Sequence, residues 1–245
     1  FLKMNLILKV FIHAVALGLI LFIEYLDKEW LFEISLPWIK AIQETQSNVI
    51  RRRLILLSKL GGGSLYFAFF LIFYYWTSRA RSFYFIYYLI ICLLVMNIGK
   101  MAYHDPRPYF VDPEIIPYDC SHEFGNPSGH SIFGASVFFL IFMEFYHGEP
   151  LDPSSRHHKF YYGCMILVII YALGMGYSRF CLGVHSLDQI FLGLQLGVWI
   201  VCFFHFCRRD FLINLVNSFS ESPNFSLLKH FLVATLMLVL AMAGQ

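Results

Sequence analysis

The chain of 245 residues is 58% hydrophobic and 19% aromatic, whereas only 14% of its residues are charged. This composition excludes an ordinary soluble domain and predicts an integral membrane protein. The formal net charge is only +2 at pH 7, and the basic residues are scattered along the chain. Nucleic acid is therefore not an expected partner.

Apolar runs follow one another along the chain, each near the ~20 residues that a helix needs to cross hydrocarbon. They cover residues 5–23, 63–78, 83–99, 130–147, 160–177, 187–207 and 227–243. The predicted fold is therefore all-α, a polytopic transmembrane helical bundle of about seven spans.

Residues 30–60 alternate apolar side chains with Gln, Glu, Lys and Arg, which predicts an amphipathic helix at the membrane surface. Ser35-Leu36-Pro37 indicates its start, because proline is favoured at the first position of a helix. We therefore expect an N-terminal unit, residues 1–62, with one anchor span and this interfacial helix. Residues 63–245 are expected to form a transmembrane domain.

The spans fix which loops share a side of the membrane. Loops 24–62, 100–129 and 178–186 lie on one side, together with the C-terminus. The short loops of the other side are basic, with Arg79, Arg81, Arg156, Lys159, Arg208 and Arg209. The positive-inside rule assigns that basic side to the cytosol, although Arg51, Arg52 and Arg53 oppose this orientation. The first side is then non-cytosolic.

The unusual polar residues gather on this first side, at three span boundaries. One span ends at Lys100, with Arg107-Pro108-Tyr109 following; the next begins with Pro127-Ser128-Gly129-His130. A third ends at Ser178-Arg179, with His185, Asp188 and Gln189 at the start of the next span.

These residues have the chemistry of a phosphoryl site. Lys100, Arg107 and Arg179 supply charge-assisted donors for phosphate oxygens. Ser128 and Gly129 begin a helix, where free N–H groups favour an anion. Two histidines permit a two-step transfer, in which one attacks phosphorus and the other protonates the departing oxygen.

In order, spacing and membrane placement, the three motifs resemble those of the type 2 phosphatidic acid phosphatase (PAP2) superfamily. This superfamily includes lipid phosphate phosphatases, glucose-6-phosphatase and vanadium haloperoxidases. The resemblance covers about residues 83–207 and implies a PAP2-type helical core. It implies phosphate binding by Lys100, Arg107, Ser128, Gly129 and Arg179. It also implies that His130 is the general acid and His185 the nucleophile, with no cofactor and no metal.

The chain departs from the commonest family pattern beside the nucleophile. Many members carry an aspartate four residues after it, where this sequence has Gln189, and Asp188 lies at the third position. The positions three and four residues after His185 share a helix face with it, so either side chain is a candidate to orient the His185 ring. The sequence resembles the glucose-6-phosphatase-like branch of the superfamily at three places. They are Gln189, the residues around Cys120, and the triplet Arg107-Pro108-Tyr109.

We therefore expect a membrane phosphatase that hydrolyses a phosphomonoester or diphosphate through a phosphohistidine intermediate. A lipid phosphate is favoured as the substrate because the site lies at the membrane boundary. A sugar phosphatase and a catalytically inactive PAP2-fold subunit of a membrane assembly are the alternatives. Membrane lipids are the expected surroundings, and an endomembrane such as the endoplasmic reticulum is the expected location, with the site on its non-cytosolic face.

Overall fold

The computed structural model describes residues 4–62, 66, 78–119, 121–147 and 156–220, and the regular elements in these ranges are all helices. In chain order they are α1 (Leu6–Thr45), α2 (Asn48–Lys59), α3 (Arg79–Tyr103), α4 (Pro108–Val111), α5 (Gly129–Phe145), α6 (Arg156–Cys181), α7 (Leu187–Phe203) and α8 (Arg209–Ser220). A π-helical turn, Phe204–Arg208, joins α7 to α8. The all-α prediction is confirmed.

Several of these helical stretches are long and apolar enough to cross a membrane. Within the described ranges they are Leu6–Thr45, Ala80–Val111, Phe160–Cys181 and Leu187–Ser218, and the apolar helix Gly129–Phe145 is shorter. The predicted runs 63–78 and 227–243 lie outside the described residues, so the count of seven spans stays a prediction. The remaining predicted runs lie on helices of an integral membrane protein.

Helix α1 is much longer than the predicted span 5–23. It continues for 40 residues and contains Pro37, so the predicted helix start at Ser35-Leu36-Pro37 is wrong. The second half of the helix has its own partners, which offset the backbone hydrogen bond that proline removes. Ser35 Oγ accepts from the N–H of Leu187 at 2.9 Å, and Lys40 pairs with Asp112 at 2.9 Å. Helix α1 therefore contacts both the beginning of α7 and the end of α4.

The predicted interfacial segment 30–60 is divided between the end of α1 and the separate helix α2. Ser47 caps the beginning of α2, and its Oγ accepts from the N–H of Ile50 at 3.4 Å. It packs against α6 and leaves apolar side chains exposed, with Val49 at 60% and Leu56 at 65%. An amphipathic helix is thus present, but it starts at Asn48.

Helices α5 and α7 form the most extensive helix contact of the described core. Gly193 and Gly197 are four residues apart on α7 and face the backbone of α5. A Cβ at Gly193 would lie 2.7 Å from the Ser128 carbonyl oxygen, and one at Gly197 would lie 2.6 Å from that of Ile132. Glycines at this spacing let two helices approach closely. The approach brings the beginnings of α5 and α7 together, which is where two of the motifs lie.

Candidate active site

The predicted site residues lie at helix ends on one end of the bundle. Lys100 is in the last turn of α3, and Arg107 immediately precedes α4. Ser128 caps α5, Arg179 is in the last turn of α6, and His185 precedes α7. Four basic residues of the site are buried, each at most 8% exposed: Lys100, Arg107, Arg179 and His185. Burial of so many polar groups at one place is costly unless they contact one another or a ligand.

The imidazole of His185 is held from both sides. Its Nδ1 lies 3.0 Å from Gln189 Oε1, and its Nε2 lies 3.1 Å from Arg107 Nη1. An amide oxygen and a guanidinium allow one tautomer, in which Nδ1 donates its proton to Gln189 and Nε2 carries the lone pair. The Gln189 carboxamide is itself fixed, because its Nε2 donates to the Pro106 carbonyl at 2.8 Å. The lone pair therefore points toward the cations.

The sequence offered two candidates to orient the His185 ring, Asp188 and Gln189. In the structure, Gln189 contacts the ring. Asp188 is only 1% exposed, but it lies near the carboxylates of Glu24 and Asp105. Space for the glutamine comes from Gly125, where a Cβ would overlap the Gln189 carboxamide. Within the described residues, Glu24, Asp105 and Asp188 are also the group of carboxylates close enough to hold a metal ion.

The N-terminus of α5 lies against α7. The N–H of Ser128 donates to the Gln189 carbonyl at 2.9 Å, and Ser128 Oγ accepts from the hydroxyl of Ser131 at 3.0 Å. Gly129 packs against α3, where a side chain would overlap Met96 Sδ. His130 interacts electrostatically with Arg179, and also with His185. The predicted general acid and nucleophile thus belong to one site.

Two carboxylates of the loop between α4 and α5 contact the cations. Glu123 forms an ion pair with Lys100, and its carbonyl oxygen accepts from Arg107 Nε at 2.8 Å. Asp119 forms an ion pair with Arg179. The carboxylate side chains are 45% and 48% exposed respectively, so they stand at the mouth of the site, whereas the cations lie inside. Such carboxylates compete with an incoming phosphate for the same donors.

Ser58 of α2 is a site residue that the sequence reasoning missed. Its Oγ accepts from Arg179 Nη1 at 2.5 Å, and the side chain is 2% exposed. Gly61 follows α2 and lies over His130, since a Cβ there would be 2.9 Å from His130 Cδ2. Ser58 is separated from Arg179 by 121 residues, so no local motif signals the contact. Asp119 and Glu123 were visible in the sequence only as acidic loop residues.

The electrostatics favour a neutral His185. Burial, followed by the charges of Arg107 and Arg179, holds the pKa of His185 well below its ordinary value. Burial alone would raise the pKa of Asp119, but hydrogen bonding and charge from Arg179 lower it below its usual range. The free site thus contains an unprotonated imidazole beside cations that are partly paired with carboxylates.

Comparisons with known proteins show the family and the fold of the chain. The PAP2 superfamily model matches residues 81–212. The crystal structure of a transmembrane PAP2-type phosphatidylglycerolphosphate phosphatase from Bacillus subtilis is similar, with a TM-score of 0.63 and 19% identity over 86% of this chain and 98% of that one. LpxE from Aquifex aeolicus has a TM-score of 0.50 and 20% identity over 73% of this chain and 94% of its own. No curated protein sequence matches.

The fold and the family match define a membrane-embedded phosphoric ester hydrolase. More particularly, the chain belongs to the PAP2 superfamily, whose model covers more than half of its length. The predicted motif-bearing core, residues 83–207, lies within the matched range. The predicted likeness to the glucose-6-phosphatase-like branch is not confirmed by these comparisons.

Proposed function

We propose that the protein hydrolyses a phosphomonoester or diphosphate of a membrane lipid through a phosphohistidine intermediate. The observation that carries the proposal is the orientation of His185. Its Nδ1 is bound to Gln189, and its Nε2 lies 3.1 Å from Arg107 Nη1. A phosphate that displaced this contact would meet both a nucleophile and charge-assisted donors.

In the first step, the Nε2 lone pair of His185 forms a bond to phosphorus as the bond from phosphorus to the leaving oxygen breaks. The negative charge of the bound phosphate would favour protonation of His130, which then supplies a proton to that oxygen. The phosphorylated ring keeps its Nδ1 proton, which Gln189 Oε1 continues to accept. In the second step, water attacks phosphorus and gives a proton to His130. Phosphate leaves, and Nε2 regains its lone pair.

The phosphoryl oxygens would be bound by Lys100, Arg107 and Arg179. Ser58 supports this assignment because its contact with Arg179 Nη1, at 2.5 Å, fixes one end of the guanidinium. The Nε of the same guanidinium is buried and has no hydrogen-bond partner among the described residues. A bound oxyanion would satisfy this donor. The first turn of α5 would add the backbone N–H of Gly129, whereas that of Ser128 already donates to the Gln189 carbonyl.

A lipid substrate is supported by the position of the site. It lies at the ends of apolar helices, beside α2, whose Ile50 and Leu56 are 52% and 65% exposed. An exposed apolar helix face at this level suits contact with acyl chains. The similar protein of Bacillus subtilis is a phosphatidylglycerolphosphate phosphatase, which acts on a lipid phosphate. We further propose that the site faces the non-cytosolic side of an endomembrane, since Arg208 and Arg209 lie at the opposite end of α7.

The test compares phosphate release from four substrates by the purified protein in detergent. They are a short-chain phosphatidate, a long-chain base phosphate, dolichyl diphosphate and glucose 6-phosphate. We expect vanadate-sensitive release from a lipid substrate, and a loss of about 10³-fold or more in kcat for His185→Ala. The control is His122→Ala, which removes an exposed histidine from the same side of the protein.

A radiolabelled phosphate ester would trap the intermediate after rapid quenching. We expect an acid-labile, base-stable phosphoprotein with the wild type and none with His185→Ala. Turnover of glucose 6-phosphate alone would replace the lipid assignment with a sugar phosphatase. Equal activity of His185→Ala and the wild type would contradict the proposed nucleophile.

A further inference from the structure

Behind the catalytic histidine lies a cluster of carboxylates, formed by Glu24, Asp105 and Asp188. One oxygen from each residue lies within 4.8 Å of the others. Glu24 and Asp188 are 5% and 1% exposed. Carboxylates held this close in a buried place repel one another and lose hydration, so their charge requires compensation.

The described neighbours compensate only part of this charge. The Lys28 ammonium lies 2.9 Å from Asp105 Oδ1. The Asn126 amide donates to Glu24 Oε1 at 2.6 Å and to Asp105 Oδ2 at 2.9 Å, but it is neutral. With all three carboxylates ionised, they and the one ammonium would leave two negative charges, which one divalent cation would balance.

A second observation points to a ligand at this place. Asp188 Oδ1 is buried and has no hydrogen-bond partner in the described part of the chain. Buried polar atoms are rarely left without a partner, and a carboxylate oxygen is an atom that hard cations bind.

A path to the cluster is also present. A cavity of about 260 Å³ is lined by four carboxylates and one ammonium, those of Asp105, Asp188, Glu29, Glu33 and Lys28. The carboxylates of Glu29 and Glu33 would attract a cation from solution. The cavity is also wide enough for water molecules to complete a coordination shell.

We propose that Glu24, Asp105 and Asp188 bind a hard divalent cation of the Ca²⁺ or Mg²⁺ class. Oxygens bound to one Ca²⁺ at ~2.4 Å can be no more than ~4.8 Å apart, and the three oxygens meet this requirement pair by pair, so a small movement of the side chains would let a single ion contact all three. The ion would play a positioning role. It is a site separate from the phosphoryl site, and the proposal goes beyond the phosphatase function.

Its effect would come from the segments it joins. Glu24 belongs to α1, Asp105 precedes the Pro106 carbonyl that holds Gln189, and Asp188 is the neighbour of Gln189. Asn126, which donates to the cluster, precedes the segment that caps α5. A cation would therefore fix α1 to all three motif segments while touching none of the proposed reacting atoms.

The experiment measures the melting temperature of the full chain in detergent after treatment with a chelator, with CaCl₂ or MgCl₂ added at constant ionic strength. A ligand at a hundred times its Kd should raise the melting temperature of a protein of this size by about 5 to 10 °C. Calorimetry should find one bound ion. We expect Glu24→Gln to lose most of the shift, and Glu44→Gln, the same change at an exposed position of α1, to keep it.

If Glu24→Gln does not fold, Asp105→Asn serves instead, because its side chain is 17% exposed in the ion pair and tolerates the change more readily. Calcium binding by the wild type also tests the proposal without any variant. A wild type that neither binds nor responds to either cation at millimolar concentration would overturn the proposal. So would a Glu24→Gln or Asp105→Asn variant that kept the full shift.

Discussion

Replacing Gln189 by leucine tests how much the orientation of the nucleophile contributes to catalysis. Leucine retains a similar volume but lacks the amide that accepts from His185 Nδ1 at 3.0 Å and donates to the Pro106 carbonyl at 2.8 Å. Gln189 is fully buried, so water does not easily replace the lost contacts. Without the acceptor, the imidazole is free to place its proton on Nε2, the atom proposed to attack phosphorus.

The magnitude follows from the charge on the ring. Attack by Nε2 leaves positive charge on the phosphorylated imidazole, so the Nδ1 hydrogen bond becomes charge-assisted in the transition state. Such a bond contributes about 1.5 to 3 kcal/mol, which corresponds to a loss of about 10- to 150-fold in kcat. KM should change little, because the Gln189 side chain reaches the proposed phosphate donors only through the ring, and its main-chain contact with Ser128 is kept by leucine.

The assay is steady-state phosphate release by Gln189→Leu, with Gln195→Leu as the control. Gln195 is on the same helix but lines a cavity between α1 and α7, away from His185. We expect Gln195→Leu to keep kcat. A Gln189→Leu variant that folds and keeps kcat within about threefold of the wild type would refute the orienting role.

Two further predictions concern the charges of the site. Asp119→Asn removes a half-exposed carboxylate that competes with phosphate for Arg179, so the inhibition constant for vanadate should fall by about 2- to 5-fold. Asp112→Asn, whose carboxylate pairs with Lys40, is the control, and weaker vanadate binding by Asp119→Asn would show that the carboxylate positions Arg179 instead. The pKa of His185 is lowered in the folded protein, so folding disfavours its protonation and stability is lost as the pH falls below about 6.5. Between pH 6.5 and 5 the wild type should lose up to about 2 kcal/mol more stability than His185→Gln, measured by chemical unfolding. Parallel stability curves for the two proteins would contradict the burial of a neutral imidazole.

Much of the fold could be predicted because its signals are local. The apolar runs at 83–99, 160–177 and 187–207 depend on the length of hydrocarbon that a helix crosses, and all three lie on helices. The extension of α1 beyond residue 23 could not be predicted in this way. Its polar second half is stabilised by contacts distant in sequence, such as Gln43 with the backbone of Ile116, where the two hydrogen bonds are 2.9 and 3.0 Å long. A proline within such a helix therefore resembles a helix start when only the sequence is considered.

The sequence by itself predicted most residues of the candidate site, although not Ser58, because the three motifs lie at the ends of apolar spans. Lys100, Arg107, His130, Arg179 and His185 follow from that pattern alone. Only the tertiary structure decided how Asp188 and Gln189 divide their roles. Positions three and four after His185 share a helix face, so helical periodicity does not distinguish them. The packing does, because Gly125 leaves room for the Gln189 carboxamide beside the ring, and Asp188 lies instead beside Glu24 of α1.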